Sequence, residues 1–144
     1  MVASDTPSVV REIEATIAGP NTKIKSVSSG PELLEAVHDE LPDLLIVDMQ
    51  MGNMGGMAVC IELHLQESYG SLYHIPVLML LDRRPDVFLA RRSGAEGWLV
   101  KPLDPIRLRN ATKALLDDGI YHDQSFQPVP ILVDTSNGYS TLKA

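Results

Sequence analysis

The chain has 144 residues, of which 44% are hydrophobic, and a formal net charge of −7. A domain of roughly 150 residues buries about 70% of the surface of its unfolded chain, so one core is stable without disulfides or a structural metal. The acidic balance disfavours nucleic acid as a direct partner. The single cysteine, Cys60, excludes an internal disulfide and is typical of a reducing compartment.

No stretch approaches the roughly 18–20 apolar residues that a membrane-spanning helix needs. The chain starts Met-Val-Ala-Ser-Asp, without the basic and apolar regions of a signal peptide. We therefore expect a cytoplasmic protein with no membrane partner. One local basic group stands out, and it indicates a solvated helix face rather than a docking patch. Its members are Arg83, Arg84, Arg91 and Arg92.

The first third of the chain predicts two strand–helix units. Residues 1–3 form a short apolar strand, and Pro7 follows in the first turn of a helix, where proline is tolerated. Residues 22–28 alternate weakly between apolar and polar side chains, which predicts a second strand. Pro31 then opens a second helix. The apolar stripe of this helix is Leu34, Val37 and Leu41.

Three further units follow. Residues 44–47, 76–81 and 98–100 are almost entirely apolar, which is typical of strands covered by helices on both faces. A helix-period segment follows each strand. These helices begin after the glycine-rich loop 49–56, near Pro85 and at Pro105. The first of them has an apolar stripe of Ala58, Ile61 and Leu65.

This strict alternation of strands and helices predicts an α/β fold, (βα)5, with a doubly wound parallel sheet. Ligands of such folds bind at the carboxyl ends of the strands. We assign the domain to residues 1–118 and a C-terminal tail or linker to residues 119–144, where the composition changes. The apolar run at 130–133 predicts a short extra strand, which pairs with the parent domain or with a partner, unless the tail is a loose terminus or a cut linker.

Three charged residues stand at predicted strand ends and are expected to converge at one edge of the sheet. They are Asp5, Asp48 and Lys101. Two carboxylates and an ammonium suit a hard cation together with a phosphoryl group, since oxygen ligands hold Mg²⁺ and a lysine pairs with phosphate oxygens. A carboxylate can also attack phosphorus to form an acyl phosphate. Each residue taken alone is better explained as a strand-end cap or a surface charge, but the ordered set of three favours a function.

From about Val2 to Leu116 the chain resembles the receiver domains of bacterial two-component response regulators. The matching segments are residues 3–7 (ASDTP), 44–51 (LLIVDMQM), 54–56 (MGG), 75–79 (IPVLM), 94–95 (GA) and 98–102 (WLVKP). The resemblance implies a flavodoxin-like, five-stranded parallel sheet with the strand order 2-1-3-4-5. It also implies a signalling protein whose only chemistry is phosphoryl uptake and autodephosphorylation at Asp48.

The resemblance implies a role for each matched residue. Asp48 matches the phosphoacceptor, Asp5 matches one acid of the pair that holds Mg²⁺, and the backbone carbonyl of Gln50 matches a third protein ligand. Lys101 matches the lysine that contacts the phosphoryl group, and Pro102 follows what is usually a cis peptide bond. The implied partners are a sensor histidine kinase or phosphotransfer protein, and a second copy through the face of helix 4, strand 5 and helix 5.

Several residues depart from the family pattern. Ser4 replaces the first acid of the pair, which weakens the cation site, and Gly52 replaces a proline of the following loop. Leu81 replaces the usual Thr or Ser and cannot donate a hydrogen bond, while Asp82 adds negative charge. Trp98 occupies the position of the aromatic switch residue, although a half-buried packing role also suits it. These departures favour, as the alternative, an atypical receiver that binds its partners independently of phosphorylation.

The remaining chemistry-bearing residues show weaker patterns. The histidines are scattered without metal-ligand spacing, and we expect them on helix faces or in loops. They are His38, His64, His74 and His122. Cys60 lies in an apolar segment and is expected to be a buried structural thiol. A hydrolytic or nucleotide-binding enzyme has no support, because the sequence contains no nucleophile elbow and no phosphate-binding loop.

Overall fold

The structure, a computed structural model, describes residues 1–123, 131–132 and 142–143. Its strands are β1 (Val2–Ala3), β2 (Ser26–Val27), β3 (Leu45–Asp48), β4 (Val77–Leu81), β5 (Gly97–Val100), β6 (Tyr121–His122), β7 (Ile131–Leu132) and β8 (Leu142–Lys143). Its α-helices are α1 (Pro7–Ile17), α2 (Gly30–Asp39), α3 (Gly56–Ser68), α4 (Val87–Ser93) and α5 (Pro105–Leu116). A short 3-10 turn, Arg84–Asp86, leads into α4.

The main sheet is parallel throughout, with the order β2-β1-β3-β4-β5-β6. The predicted order of the first five strands, 2-1-3-4-5, is therefore confirmed. The sixth strand is an addition: Tyr121 pairs with Gly97 and His122 pairs with Trp98 along the outer edge of β5. It lies in the segment assigned to the tail, and the domain boundary at residue 118 stays a prediction. In the apolar run at 130–133, β7 pairs antiparallel with β8.

Alternation along the strands divides the core between the two faces of the sheet. Val47 and Met79 belong to the cluster packed by α2, α3 and α4, whereas Ile46 and Leu78 belong to the cluster packed by α1 and α5. Because both faces are covered, β3 and β4 are buried along their whole length. This burial accounts for their apolar sequences and places polar chemistry at the strand ends.

One predicted helix stripe is wrong in part and another is wrong throughout. The second helix ends at Asp39, so Leu41 lies beyond it and is 46% exposed. In α3 the predicted stripe points outward, whereas its buried residues are Gly56, Val59, Cys60 and Leu63. The apolar residues of this helix are spread around its axis rather than concentrated in one stripe, so its sequence does not specify which side faces the sheet. Within the part of the chain that the structure describes, no helix is long and apolar enough to cross a membrane.

Candidate functional site

Asp48 is the last residue of β3 and is almost completely buried, with 1% of its surface exposed. Lys101 Nζ donates hydrogen bonds to both of its carboxylate oxygens at 2.9 Å. Ser4 Oγ donates a third, to Oδ2, also at 2.9 Å. The three residues meet because Ser4 follows β1 and Lys101 follows β5, so all of them lie at the carboxyl edge of one parallel sheet. A buried carboxylate is thereby paired with a cation and hydrogen-bonded, as its burial requires.

Lys101 bridges two carboxylates. Besides Asp48, its ammonium pairs with Asp82 Oδ1 at 3.0 Å. Burial lowers the pKa of Lys101, but the hydrogen bonds to Asp48 and then Asp82 outweigh that effect, so the net shift of its pKa is upward. The ammonium is therefore held in its charged form. The peptide bond between Lys101 and Pro102 is cis.

Asp5 lies on the exposed side of this pocket and is connected to the loop after β3. Its Oδ2 accepts a hydrogen bond from the backbone N–H of Gly52 at 2.8 Å. The family usually has proline at this position, and proline has no N–H to donate. Gly52 thus provides a bond that the usual residue does not. Within the same loop, a side chain on Gly56 would approach the carbonyl oxygen of Asp48 to 2.8 Å, so the tight turn requires glycine.

The donor set at this edge fits a hard cation. A carboxylate has about four lone-pair sites, and Lys101 and Ser4 together occupy three on Asp48. One site on Asp48 remains, together with the exposed carboxylate of Asp5. Ser4 is neutral and uses its hydroxyl oxygen to accept from the Thr6 N–H at 3.1 Å. Mg²⁺ prefers such oxygen ligands and keeps several waters.

The two switch positions lie in the core. Leu81 is fully buried, and Trp98 is only 2% exposed, so its burial exceeds the half-buried packing role considered from the sequence. The Trp98 ring stacks on His122 of β6, with centroids 4.0 Å apart and planes 8° apart. The Arg91 guanidinium lies 5.7 Å from the centroid of the Trp98 ring, at cation–π distance. Neighbours from α4 and β6 therefore hold the indole.

The segment after α5 is anchored by a buried carboxylate. Asp123 Oδ2 accepts from the backbone N–H of Val100 at 3.0 Å and from Arg107 Nη1 at 2.7 Å. The N–H of Tyr121 donates to the carbonyl of Glu96. These bonds hold β6 along β5, within the face where a second copy was predicted to dock. In the sequence this anchor is only a lone aspartate among aromatic residues, which is a weak signal.

Two histidines and a glutamate form a second cluster, which the sequence did not predict. Ligand atoms of His64, Glu67 and His74 all lie within 4.8 Å of one another. His64 and Glu67 are one turn apart on α3, whereas His74 precedes β4, so the cluster lies toward the amino end of that strand and away from Asp48. Only the i, i+3 spacing of His64 and Glu67 was visible in the sequence.

The sheet is doubly wound and parallel, and it carries a lysine-paired aspartate at its carboxyl edge. These features define an α/β protein of the flavodoxin-like type. The chain belongs to the response regulator receiver domain family of two-component signalling, since the profile of this family matches residues 1–113.

Relatives with known names support this assignment. Response regulator PleD of Caulobacter vibrioides is 31% identical over 117 residues, which are 80% of this chain and 25% of PleD. The alkaline phosphatase synthesis transcriptional regulatory protein PhoP of Bacillus subtilis is 28% identical over 118 residues, 81% of this chain and 47% of PhoP. The chain thus spans a quarter to a half of these relatives.

Solved structures share the fold. The signal receiver domain of a histidine kinase from Syntrophus aciditrophicus has a TM-score of 0.72 at 24% identity, covering 90% of this chain and 95% of that one. The chemotaxis protein CheY4 of Vibrio cholerae has a TM-score of 0.67 at 24% identity, covering 78% and 92%.

Proposed function

We propose that this receiver accepts a phosphoryl group on Asp48 from the phosphohistidine of a sensor histidine kinase or phosphotransfer protein. The observation that carries the proposal is the buried Asp48 carboxylate bound at both oxygens by Lys101. Signalling then proceeds through protein contacts, because the acidic chain disfavours nucleic acid. The cytoplasmic location stays a prediction.

The two Asp48 oxygens are not equivalent. Oδ2 accepts from both Ser4 and Lys101, whereas Oδ1 accepts from Lys101 alone among the described residues. We therefore assign the attack on phosphorus to Oδ1: its bond to phosphorus forms as the phosphorus–nitrogen bond of the donor breaks. Lys101 then transfers its hydrogen bonds from the carboxylate to the phosphoryl oxygens, which compensates charge where it develops.

Lys101 releases Oδ2 of Asp48 when it turns to the phosphoryl oxygens, and Asp5, this Oδ2 and the carbonyl of Gln50 would then hold Mg²⁺ in this pocket. Bound there, the cation shields the negative charge of the carboxylate from that of the phosphoryl group. The neutral Ser4 supplies less charge than the usual acid, so we expect weaker Mg²⁺ affinity than in receivers with both acids. A Ser4→Asp substitution should tighten Mg²⁺ binding.

Intact-mass measurement after incubation with Mg²⁺ and a small phosphodonor tests the proposal. Wild type should gain one phosphoryl group, and Asp48→Asn should gain none. Asp82→Asn is the matched control, because it removes a neighbouring carboxylate that contacts the same lysine but leaves the acceptor in place. Equal uptake by Asp48→Asn, or no uptake by wild type from any donor, would refute it.

A second candidate is the atypical receiver whose contacts do not depend on phosphate. Leu81 has no hydroxyl to follow a phosphoryl group, and Trp98 is stacked under His122, so the usual coupling lacks one of its two parts. This candidate predicts that dimerisation or partner binding at the face of α4, β5 and α5 is the same with and without phosphodonor. Sedimentation equilibrium with and without phosphodonor measures this association. Association that appears only with phosphodonor would reject the second candidate.

A further inference from the structure

We propose that His64, Glu67 and His74 bind a divalent transition-metal ion of the zinc class, at a site separate from the Asp48 pocket. The three side chains place their ligand atoms within 4.8 Å of one another. Among the residues that the structure describes, this is the one group of three or more His, Cys, Asp or Glu that meets this distance.

One pair of ligand atoms is already closer than two ligands of a tetrahedral metal centre. His74 Nδ1 lies 2.9 Å from Glu67 Oε2, and a tetrahedral site with bonds of about 2.1 Å places its ligand atoms roughly 3.4 Å apart. The rings of His64 and His74 are parallel within 1°, with centroids 6.3 Å apart. The side chains of His74 and Glu67 are 47% and 38% exposed, so small rotations toward a shared ion meet little resistance.

A supporting carboxylate selects the nitrogen of His74 that would face the metal. His74 Nε2 lies 2.6 Å from Glu96 Oε1, and the other oxygen of Glu96 accepts from the N–H of Val77 at 2.8 Å. With its Nε2 proton donated to Glu96, the imidazole presents the lone pair of Nδ1 beside Glu67. Metal-bound histidines are usually oriented by a carboxylate in this way.

The backbone beside the cluster leaves room for the second imidazole. A side chain at Gly94 would approach Cε1 of His64 to 2.7 Å, and Gly94 has a left-handed φ of 83° that favours glycine. Gly94 thus ends α4 and accommodates the His64 ring at the same position. Without this glycine the ring would have to leave the cluster.

The ligand set determines the chemistry. Two imidazoles and one carboxylate suit Zn²⁺ and its neighbours rather than Mg²⁺ or Ca²⁺, which prefer oxygen ligands. Three protein ligands leave a coordination position for water or for a ligand from a partner. A bound ion would connect α3 to the segments that precede β4 and β5, at a distance from the proposed phosphoryl chemistry.

Calorimetric titration of the untagged protein with Zn²⁺, in excess Mg²⁺ to occupy the Asp48 pocket, tests the site. We expect one Zn²⁺ per chain, binding at least tenfold weaker in His64→Ala and in His74→Ala, and roughly tenfold or more weaker in Glu96→Gln. His38→Ala is the matched control: it removes another exposed histidine, and we expect unchanged affinity.

The competing interpretation is that His74 simply forms ion pairs with Glu67 and Glu96. It predicts that His64→Ala leaves the affinity for Zn²⁺ unchanged, because His64 takes no part in those ion pairs. Wild-type affinity no tighter than that of His64→Ala would therefore overturn the proposal. If His64→Ala does not fold, His64→Gln provides the same comparison. Substitution with Co²⁺ gives a second readout, since its visible absorption strengthens when the ion leaves octahedral water for a tetrahedral protein site.

Discussion

Replacing Asp123 by alanine should destabilise the domain far more than the loss of a surface charge. The side chain of Asp123 is 1% exposed, and its Oδ2 accepts from the buried N–H of Val100 and from Arg107. The substitution removes the one oxygen that accepts from both donors. The buried N–H of Val100 then loses this acceptor, and the largely buried Arg107 guanidinium loses a negative partner.

The magnitude follows from these two contacts. An unsatisfied buried N–H costs about 1–3 kcal/mol, and removal of one partner of a buried ion pair costs about 3–5 kcal/mol. Arg107 is 24% exposed and also donates to the carbonyl of Pro102, so water and that carbonyl compensate part of the second cost. We expect a loss of about 2–4 kcal/mol in unfolding free energy. Asp123→Asn keeps an oxygen acceptor and should lose about half as much.

Urea unfolding followed by tryptophan fluorescence measures this loss. The chain has a single tryptophan, Trp98, and its ring stacks on β6, so the signal reports the segment in question. Asp117→Ala is the matched control, because it removes an exposed aspartate at the end of α5. If Asp123→Ala loses no more stability than Asp117→Ala, the anchoring argument is wrong and the segment after residue 118 is a loose tail.

Three further predictions test other parts of the molecule. Burial raises the pKa of Cys60 to about 11, so iodoacetamide should leave the native protein unmodified at pH 8 and alkylate it only in urea. Gly52→Pro removes the N–H that holds Asp5 and should weaken Mg²⁺ binding in a titration, whereas Gly52→Ala keeps the N–H and should not. Burial and a nearby guanidinium lower the pKa of His122. The folded state thus favours the neutral ring, and stability should fall as the pH drops below about 6.5, by a smaller amount in His122→Gln when urea midpoints are compared.

The sequence was sufficient for the sheet because β3 and β4 are continuous apolar runs bounded by turn residues. It was insufficient for α3, where Ile61 and Leu65 are exposed although they repeat at helical spacing. The apolar residues of α3 are spread around its axis, so no unique face is defined until the sheet is in place. It also missed β6, because a two-residue strand has no periodicity and depends on a neighbouring edge and on the buried Asp123.

In the candidate site, too, some features could be predicted from the sequence and others could not. Asp48 and Lys101 could be found because each follows a buried apolar run, and parallel topology brings such ends together. The ion pair between Lys101 and Asp82 is a tertiary contact between two strand ends, and the sequence indicated only that Asp82 adds charge there. The histidine cluster depends on the turn between α3 and β4, whose course no local pattern predicts.

The pocket and the face of β5 are nevertheless close along the chain. Lys101, which pairs with Asp48, directly follows Val100, whose N–H is held by Asp123. Leu81 cannot relay a phosphoryl group by hydrogen bonding, because it has no donor. Lys101 is nevertheless connected to the residue after β6 through the backbone of Val100 and one hydrogen bond to Asp123, without Leu81 or Trp98. A receiver that signals through phosphorylation would use this connection between the lysine and the segment after α5. A receiver whose contacts do not depend on phosphate would not need it.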